Sequence, residues 1–383
     1  MRPRHLALLL RLSLFVAIAA SAALVADYRS SGDPAFCGVD SGCFAVRISG
    51  YANVLGMSLP NLGLAAFATL LAGSLLARSR LHHLLVGVAA GVGAVAALVL
   101  IYLQAAVIGA FCAWCVAVDI GALIAAAAAG GIAVQARKAG DEEAFAREVN
   151  PGGAALVGWV VAALGGIGLP MMWAQYPTLP ALPQEIAAVQ VPGKVTLVGF
   201  TDFECPFCRR LSPELQQIEE EYGDRIVYIR KMAPLPRHEG ALPAAKAYVC
   251  APPEQREGAA ALLYTASAER LTEEGVVGVL GPLKLDREAL VACLAAPETK
   301  AAVEAEVALY KKVAGKGLPY TFVGRRVVLG FNPARIDESI KLELAGQHFG
   351  LPLWGMFVAL GLVAAGAAAV SLRAKGSGPG EKG

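Results

Sequence analysis

The residues FCAWC (111–115) form a Cys-x-x-Cys pair in an apolar stretch that has no charged residue from Leu84 to Val118. A second pair, CPFC (205–208), lies in a segment of water-compatible composition. An apolar run of this length is typical of a membrane span, whereas the surroundings of the second pair are typical of a soluble domain. The two pairs therefore predict a chain with one dithiol at a membrane and another in solution.

The composition of the whole chain supports this division. Its 383 residues are 56% hydrophobic, which is too apolar for one soluble domain, and the length is sufficient for at least two folding units. The formal net charge is +2, and the sequence has neither a run of lysine and arginine nor a glycine-rich phosphate loop. We therefore predict a membrane protein and no nucleic-acid partner.

Six apolar runs are long enough to cross a membrane, because about 30 Å of hydrocarbon requires about twenty helical residues. They cover about 6–27, 59–77, 83–103, 110–135, 153–174 and 350–372. The first run contains Arg11, and its SAALVA segment (21–26) resembles a signal-peptide cleavage region. Either a removed signal peptide or a retained helix fits this first run.

Basic residues predict the orientation of the spans. They concentrate at the N-terminus, in the loops at 78–83 and 136–150, and in the C-terminal tail with Lys375 and Lys382, whereas the loop at 28–58 has only two arginines. The positive-inside rule then puts both chain ends in the cytoplasm. Every cysteine falls at or beyond the outer face, where disulfides persist.

The segment from about 185 to 345 holds most of the charged residues and follows a proline-rich tether, YPTLPALPQ (176–184). Its pattern predicts a strand, a helix and a second strand, then a helical stretch of about 240–313, two short strands and a helix from about Pro333. We therefore expect a β-α-β unit with a helical insertion and a closing hairpin.

Eight cysteines fall into four pairs, which are Cys37/Cys43, Cys112/Cys115, Cys205/Cys208 and Cys250/Cys293. An even number with close spacing indicates an oxidising compartment or thiol chemistry. A zinc site needs four ligands at one point, but the two Cys-x-x-Cys pairs lie in different environments and the five histidines are scattered. We therefore predict no metal.

The position of Cys205 between a strand and a helix predicts a low thiol pKa, because unpaired N–H groups at a helix start favour an anion. Cys208 lies one turn later and can close a disulfide, which predicts a redox switch. A structural disulfide or a chance pair is the alternative. For Cys250 and Cys293, in the helical insertion, we expect a structural disulfide, with free buried thiols as the alternative.

The membrane pair has a different setting. Cys112 and Cys115 are predicted in the first turn of the fourth span at the outer interface, beside the interfacial aromatics Phe111 and Trp114. Such a site can meet a lipid-soluble electron acceptor. The alternative is that these cysteines are small packing residues within a helical bundle.

The third pair lies in the polar outer loop DPAFCGVDSGC (33–43). Asp40 and the neighbouring glycines make this loop turn-rich, so Cys37 and Cys43 can move between a soluble partner and the membrane. Thiol exchange needs contact between sulfur atoms, which explains why a mobile pair is useful. A static disulfide that staples the loop is the rival interpretation.

The segment FTDFECPFCRRL (200–211), together with GLPYTFVGRRVVLGF (317–331), resembles a thioredoxin-fold domain of the DsbA type over about 190–345. The resemblance implies an exposed nucleophile and a resolving cysteine, a cis-proline beside the disulfide, and a preceding backbone that contacts substrate peptide. These roles fall on Cys205, Cys208, Pro319 and Leu318, respectively.

The order of loop pair, membrane Cys-x-x-Cys and thioredoxin-like segment resembles bacterial homologues of vitamin K epoxide reductase fused to their redox partner. The membrane match covers about 10–135 and includes GYANVLGMSLPNLGL (50–64). It favours a retained first helix. The implied fold class is a membrane all-α four-helix-bundle core with additional transmembrane helices and a soluble α/β thioredoxin-fold domain. The implied domains are 1–140 for the bundle, 141–184 for a cytoplasmic loop, fifth helix and linker, 185–345 for the thioredoxin-like domain, and 346–383 for the last helix and tail.

The same resemblance assigns roles around a quinone. Cys115 would face the quinone, with Ser49 and Phe111 near it, and Cys112 would exchange with the loop pair. Asp119 stands where the animal enzymes carry a tyrosine implicated in quinone contact, so that contact differs here. An ionisable residue at this depth is often functional, which suggests a proton role for Asp119, with contact to an aqueous pocket as the alternative.

The implied activity is disulfide formation in exported proteins, with electrons passing to ubiquinone or menaquinone in the bacterial inner membrane. Three alternatives remain open. The first is a thiol reductase with the same cysteine pairs and the opposite direction of electron flow. The others are a vitamin K epoxide reductase and a scaffold with structural disulfides. The expected partners are reduced periplasmic proteins, the quinone and the lipid bilayer.

Overall fold

The computed structural model describes residues 1–29, 34–38, 41–54, 56–150, 152–313 and 315–373. The chain divides into two compact units, Met1–Thr178 with Phe349–Gly383, and Leu179–His348. The expectations for Asp40, Lys375 and Lys382 concern positions outside the described residues.

The first unit is helical apart from one short hairpin. Its elements are α1 (Pro3–Arg29), α2 (Gly42–Ile48), β1 (Asn53–Val54), β2 (Met57–Ser58), α3 (Leu59–Leu76), α4 (Arg80–Tyr102) with a π-helical extension (Leu103–Ile108), α5 (Ala113–Lys138), α6 (Glu142–Val149), α7 (Gly153–Trp173) and, at the end of the chain, α16 (Leu353–Arg373). Among the described residues, 6 helices are long and apolar enough to cross a membrane: α1, α3, α4 with its extension, α5, α7 and α16.

Several helix ends differ from the predicted bounds because of local capping. Helix α4 begins at Arg80 rather than at 83, since the Ser79 hydroxyl accepts a hydrogen bond from the His82 N–H. Helix α5 begins at Ala113 rather than at 110, since Cys112 occupies the capping position. The outer loop is also more regular than expected, because it contains α2 and the β1–β2 hairpin.

Four helices, α1, α3, α4 and α5, form the bundle core of this unit, and α7 and α16 pack beside it. Small residues allow close approach: a Cβ atom on Gly121 of α5 would lie 3.1 Å from the Ser13 carbonyl oxygen of α1. Apolar side chains such as Val88, Val95 and Val99 point outward from α4, as expected for a surface in contact with lipid.

The second unit is built on a four-stranded sheet of order β4-β3-β5-β6. Its strands are β3 (Val195–Thr201), β4 (Ile226–Met232), β5 (Tyr320–Val323) and β6 (Arg326–Leu329). Strand β3 pairs in parallel with β4 and antiparallel with β5, and β5 pairs antiparallel with β6. All residues of β3 are buried, because both faces of the sheet are covered by helices.

The helices of this unit are α8 (Gln184–Ala187), α9 (Pro206–Tyr222), α10 (Ala241–Cys250), α11 (Arg256–Thr265), α12 (Gly275–Val279), α13 (Arg287–Ala295), α14 (Pro297–Lys312) and α15 (Pro333–Leu344). Helices α9 and α15 pack on one face of the sheet, and the insertion α10 to α14 packs on the other. The predicted helical stretch of about 240–313 is therefore five separate α-helices with three short 3-10 helices between them. A disulfide between Cys250 and Cys293 joins α10 to α13.

Candidate active site

The dithiol of the second unit lies where β3 ends and α9 begins. Cys205 is the residue before the helix, and Pro206 is its first residue, where a missing N–H costs nothing. The turn before it is fixed by the buried carboxylate of Asp202, which accepts hydrogen bonds from the backbone N–H of Glu204 at 2.8 Å and of Leu235 at 2.9 Å. The side chain of His238 also contacts Asp202, at 2.7 Å.

The two thiols of this pair have opposite acidities. The pKa of Cys205 is lowered to about 6, first because the Cys208 thiol donates a hydrogen bond to its sulfur and then because the backbone N–H groups of Cys208 and Phe207 point at it. The pKa of Cys208 is raised by the same hydrogen bond and by burial. At neutral pH Cys205 is therefore mostly a thiolate, which is the reactive form of a cysteine, and Cys208 stays protonated.

The loop before β5 closes over this dithiol. The Leu318–Pro319 peptide bond is cis, and the Leu318 carbonyl oxygen lies 3.9 Å from the Cys205 sulfur. This contact corrects one expectation: Cys205 is 2% exposed, as is Cys208, rather than an exposed nucleophile. The side chain lies in the core beneath the Leu318 backbone.

The membrane dithiol is held by two polar side chains. Cys112 caps α5, and its sulfur accepts a hydrogen bond from the Cys115 N–H at 3.2 Å. The Cys112 N–H donates to Gln104 Oε1 at 2.9 Å, and Gln104 Nε2 reaches Asp119 Oδ2 at 3.4 Å. Gln104 and Asp119 are both buried, so this chain of hydrogen bonds ties the dithiol to a carboxyl group inside the bundle.

The loop cysteine pair, Cys37 and Cys43, lies against the membrane dithiol. Cys37 and Cys43 form a disulfide, and the Cys43 sulfur is 2.8 Å from the Cys112 sulfur. The sulfur atoms of all three residues are buried and lie within 4.8 Å of one another. Three thiolates at this spacing can ligate a soft metal ion, but two of these sulfurs are joined to each other. Contact between sulfurs of different pairs is instead the geometry that disulfide exchange needs.

Asp27, at the end of α1, holds the loop dithiol in place. Its carboxylate accepts hydrogen bonds from the N–H groups of Ala35 at 2.9 Å, Phe36 at 3.1 Å and Cys37 at 2.5 Å. Trp114 Nε1 donates to the Phe36 carbonyl at 3.2 Å, which adds a tie to α5. The segment around Cys37 is thus anchored through its N–H groups and through the Phe36 carbonyl. Of the two interpretations of this loop, these contacts favour the static one over the mobile one.

A cavity of about 700 Å³ lies beside the membrane dithiol. Its walls are mostly apolar side chains of α1, α3 and α4, and Gln104, Cys115 and Asp119 supply polar atoms. This size and lining are typical of a site for a largely apolar small molecule with a few oriented polar groups. The residues therefore fit a quinone, whose ring and tail are apolar and whose oxygens accept hydrogen bonds.

Two residues expected at the quinone lie elsewhere. The Ser49 hydroxyl donates to the Val46 carbonyl at 2.7 Å at the end of α2, and Phe111 is 57% exposed beside the start of α5. Within the part of the chain that the structure describes, neither is among the residues of the cavity wall. The serine that lines the cavity is Ser21, on α1.

Sequence reasoning missed two residues of this site, Asp27 and Gln104. Both could have been identified from the sequence, because each is a polar residue within or at the end of an apolar run. Gln104 lies inside the uncharged stretch from Leu84 to Val118, and Asp27 ends the first span. Isolated polar residues of this kind are costly in a membrane and mark functional positions.

Comparison with protein families separates the same two regions. Residues 8–129 match the model of the Vitamin K epoxide reductase family, and residues 191–341 match the model described as Thioredoxin. Taken with the three dithiols, these matches define a membrane thiol-disulfide oxidoreductase. More particularly, residues 8–129 are similar to the vitamin K epoxide reductase family, and residues 191–341 are similar to thioredoxin.

Several solved structures are similar to the second region. A thioredoxin-like oxidoreductase from Silicibacter pomeroyi DSS-3 is 28% identical, with 40% of this chain and 88% of that chain covered and a TM-score of 0.37. Reduced DsbA1 from Neisseria meningitidis is 20% identical, with 45% and 92% covered and a TM-score of 0.35.

One curated relative matches over a short segment. Na(+)/H(+) antiporter NhaA 1 of Mycolicibacterium gilvum (strain PYR-GCK) is 41% identical over 54 residues, which are 14% of this chain and 9% of that protein.

Proposed function

We propose that this thiol-disulfide oxidoreductase forms disulfides in exported proteins and delivers the electrons to a membrane quinone. Electrons would pass from reduced substrate to Cys205/Cys208, then to the loop pair Cys37/Cys43, then to Cys112/Cys115. The observation that carries the proposal is the 2.8 Å approach of the Cys43 and Cys112 sulfurs, with Cys115 on the wall of the adjacent cavity. We further propose the bacterial inner membrane as the location, with the thioredoxin-like domain on the outer side.

Each transfer between pairs is a thiol-disulfide exchange. A thiolate attacks one sulfur of the next disulfide, forms a mixed disulfide and releases the other sulfur as a thiolate. The second cysteine of the attacking pair then breaks the mixed disulfide. The receiving pair ends as a dithiol, the donating pair ends as a disulfide, and two electrons have moved with no other reactant.

In the first unit, Cys43 is the sulfur that contacts Cys112, so exchange between the loop and membrane pairs would begin there. The Cys112 side chain accepts the Cys115 N–H, and a helix start favours the thiolate form. In the proposed direction, Cys43 would attack the Cys112 sulfur of the Cys112–Cys115 disulfide and release Cys115 as a thiolate. Attack by Cys37 on Cys43 would then close the loop disulfide and release Cys112 as a thiolate.

A quinone, when bound, supplies a lipid-soluble acceptor for two electrons and two protons. Among the residues of this chain, Cys115 lines the cavity, and Gln104 accepts a hydrogen bond from the Cys112 N–H. Asp119 is placed to hold a proton near the dithiol, since its carboxyl lies on the cavity wall and bonds Gln104. The apolar walls exclude water from this exchange.

The direct test uses purified full-length protein with a reduced protein substrate and a ubiquinone or menaquinone analogue. We expect quinol and oxidised substrate to appear in equal amounts. A reductase working in the opposite direction would instead reduce the substrate when quinol is supplied. If neither quinol nor oxidised substrate forms, the proposed function is wrong.

A further inference from the structure

A buried arginine lies in α1, far along the chain from the cysteines. Arg11 is 3% exposed, and its Nη2 donates to the Ser74 and Val149 carbonyl oxygens at 3.3 and 3.0 Å and to Asn150 Oδ1 at 3.2 Å. All three acceptors are neutral, and the described residues place no carboxylate within ion-pairing distance of Arg11. Its Nε is buried without a hydrogen-bond partner. A buried charge that no opposite charge compensates is costly.

The side chain of Arg11 lines a small pocket at the end of the bundle where α1 begins and α16 ends. The pocket has a volume of about 70 Å³, and Arg4, Arg147 and Ser371 also line it. The Nε of Arg4, like that of Arg11, is buried without a partner in the described part of the chain. Glu148 contributes one negative charge to the wall, and Glu143 forms an ion pair with Arg147 at 3.9 Å. Three arginines against these two carboxylates leave the pocket net positive.

We propose that this pocket binds a phosphate group, carried by the headgroup of an anionic phospholipid or present as free inorganic phosphate. Guanidinium groups are suited to this ligand, because their planar N–H donors match phosphate oxygens. The negative charge would compensate Arg11, and the guanidinium groups of Arg4 and Arg147 on the pocket wall would supply donors.

Two features of the pocket favour the lipid as the source of the phosphate. Leu8 and Leu372 line the same pocket, so apolar surface lies next to the positive charge, as a headgroup and its first acyl carbons require. The predicted orientation puts this end of the bundle at the cytoplasmic face, where basic pockets between helices bind anionic headgroups. The redox centres are not part of this site.

The test measures binding of short-chain phosphatidylglycerol, short-chain phosphatidylcholine and inorganic phosphate to the purified full chain by native mass spectrometry. We expect phosphatidylglycerol to bind well above phosphatidylcholine. Each of Arg4→Gln and Arg147→Gln should weaken phosphatidylglycerol binding about fivefold, the effect of removing one positive charge near a phosphate. These two variants carry the test, because Arg11→Gln also removes three internal hydrogen bonds and can unfold the bundle.

The matched control is Arg137→Gln. Arg137 lies in the last turn of α5 at the same end of the bundle, where Gln135 Nε2 donates to the Met1 carbonyl, but it does not line the pocket. It should leave binding unchanged. Inorganic phosphate that binds alone, with the same dependence on Arg4 and Arg147, would support the site with free phosphate as its ligand. Equal binding of both lipids without phosphate binding, or loss in Arg137→Gln equal to that in Arg4→Gln, would overturn the proposal.

Discussion

The two Cys-x-x-Cys pairs share a local structure and differ in what surrounds them. In both, the first cysteine precedes a helix and the second lies one turn inside it. Cys205 lies under the Leu318 backbone in a soluble domain, whereas Cys112 touches another cysteine and its N–H is held by Gln104. The motif thus provides a reactive dithiol in either place, and the neighbouring residues determine which partner it can reach.

We expect the largest effect on electron transfer from removing the contact between the Cys43 and Cys112 sulfurs. This contact is the feature in which the two Cys-x-x-Cys pairs differ most. Cys112→Ala removes the sulfur that lies 2.8 Å from Cys43, so reduction of quinone by substrate should fall to background. Direct reaction of the Cys205/Cys208 pair with a reduced peptide should remain at its normal rate. Quinol formation and peptide oxidation, measured separately on the same preparation, check this. Residual quinol formation in Cys112→Ala would show that the membrane pair is not required.

The second prediction concerns the acidity of the soluble pair. Since the pKa of Cys205 is about 6 and the thiolate is the reactive form, alkylation should be nearly independent of pH from 7 to 8. Below the pKa it should fall about tenfold per pH unit, because protonation removes the thiolate. Iodoacetamide labelling of reduced protein, read by mass spectrometry at Cys205, measures this. Cys208→Ala is the informative comparison, because losing its hydrogen bond should move the midpoint upward.

A smaller effect is expected from replacing Gln104, which accepts a hydrogen bond from the Cys112 N–H of the membrane pair. Gln104→Leu leaves the Cys112 N–H and the Asp119 carboxyl without their shared partner, at a cost of about 1–3 kcal/mol for each buried group. We expect quinone reduction to slow about tenfold while exchange at Cys205 is unchanged. Gln104→Glu is the conservative control: it keeps an acceptor for the Cys112 N–H. If wild type and Gln104→Leu reduce quinone at equal rates, Gln104 has no role in electron transfer at the membrane pair.

The smallest effect on electron transfer is expected at the fourth cysteine pair. Replacing Cys250 and Cys293 together by Ala opens a loop of 43 residues and should lower the free energy of unfolding by about 2–4 kcal/mol. Quinone reduction at 25 °C should stay within about twofold of wild type, because this disulfide only joins α10 to α13. Chemical denaturation and a quinol assay of the double variant check the two parts. Loss of turnover in a folded variant would give this pair a redox role.

Local patterns predicted much of the architecture. The apolar runs specified the long helices, and the order of strand, Cys-x-x-Cys and helix specified the soluble fold, because each pattern is contained in a short segment. The contact of Cys43 with Cys112 and the anchoring of Cys37 by Asp27 depend on residues distant in the chain. A pattern within one short segment cannot predict contacts between residues that are distant in the chain. The burial of Cys205 was missed for the same reason, since Leu318 covers it from 113 residues away.

The hypothesis of a mobile loop also changes in the light of these contacts. Asp27 and Trp114 hold the backbone of residues 35–37 beside the membrane pair. Exchange with Cys205 would therefore require the soluble domain to reach this anchored segment, or the Asp27 hydrogen bonds to break first.

The central claim is that the soluble pair passes its electrons to the loop pair, and trapping the mixed disulfide tests it most directly. In a Cys208→Ala variant the second cysteine can no longer release Cys205 from its partner. We predict that non-reducing peptide mapping of this variant finds Cys205 joined to Cys37 or Cys43. If Cys205 is found joined only to external proteins, while the loop pair still cycles during quinone reduction, the transfer between the two domains does not occur.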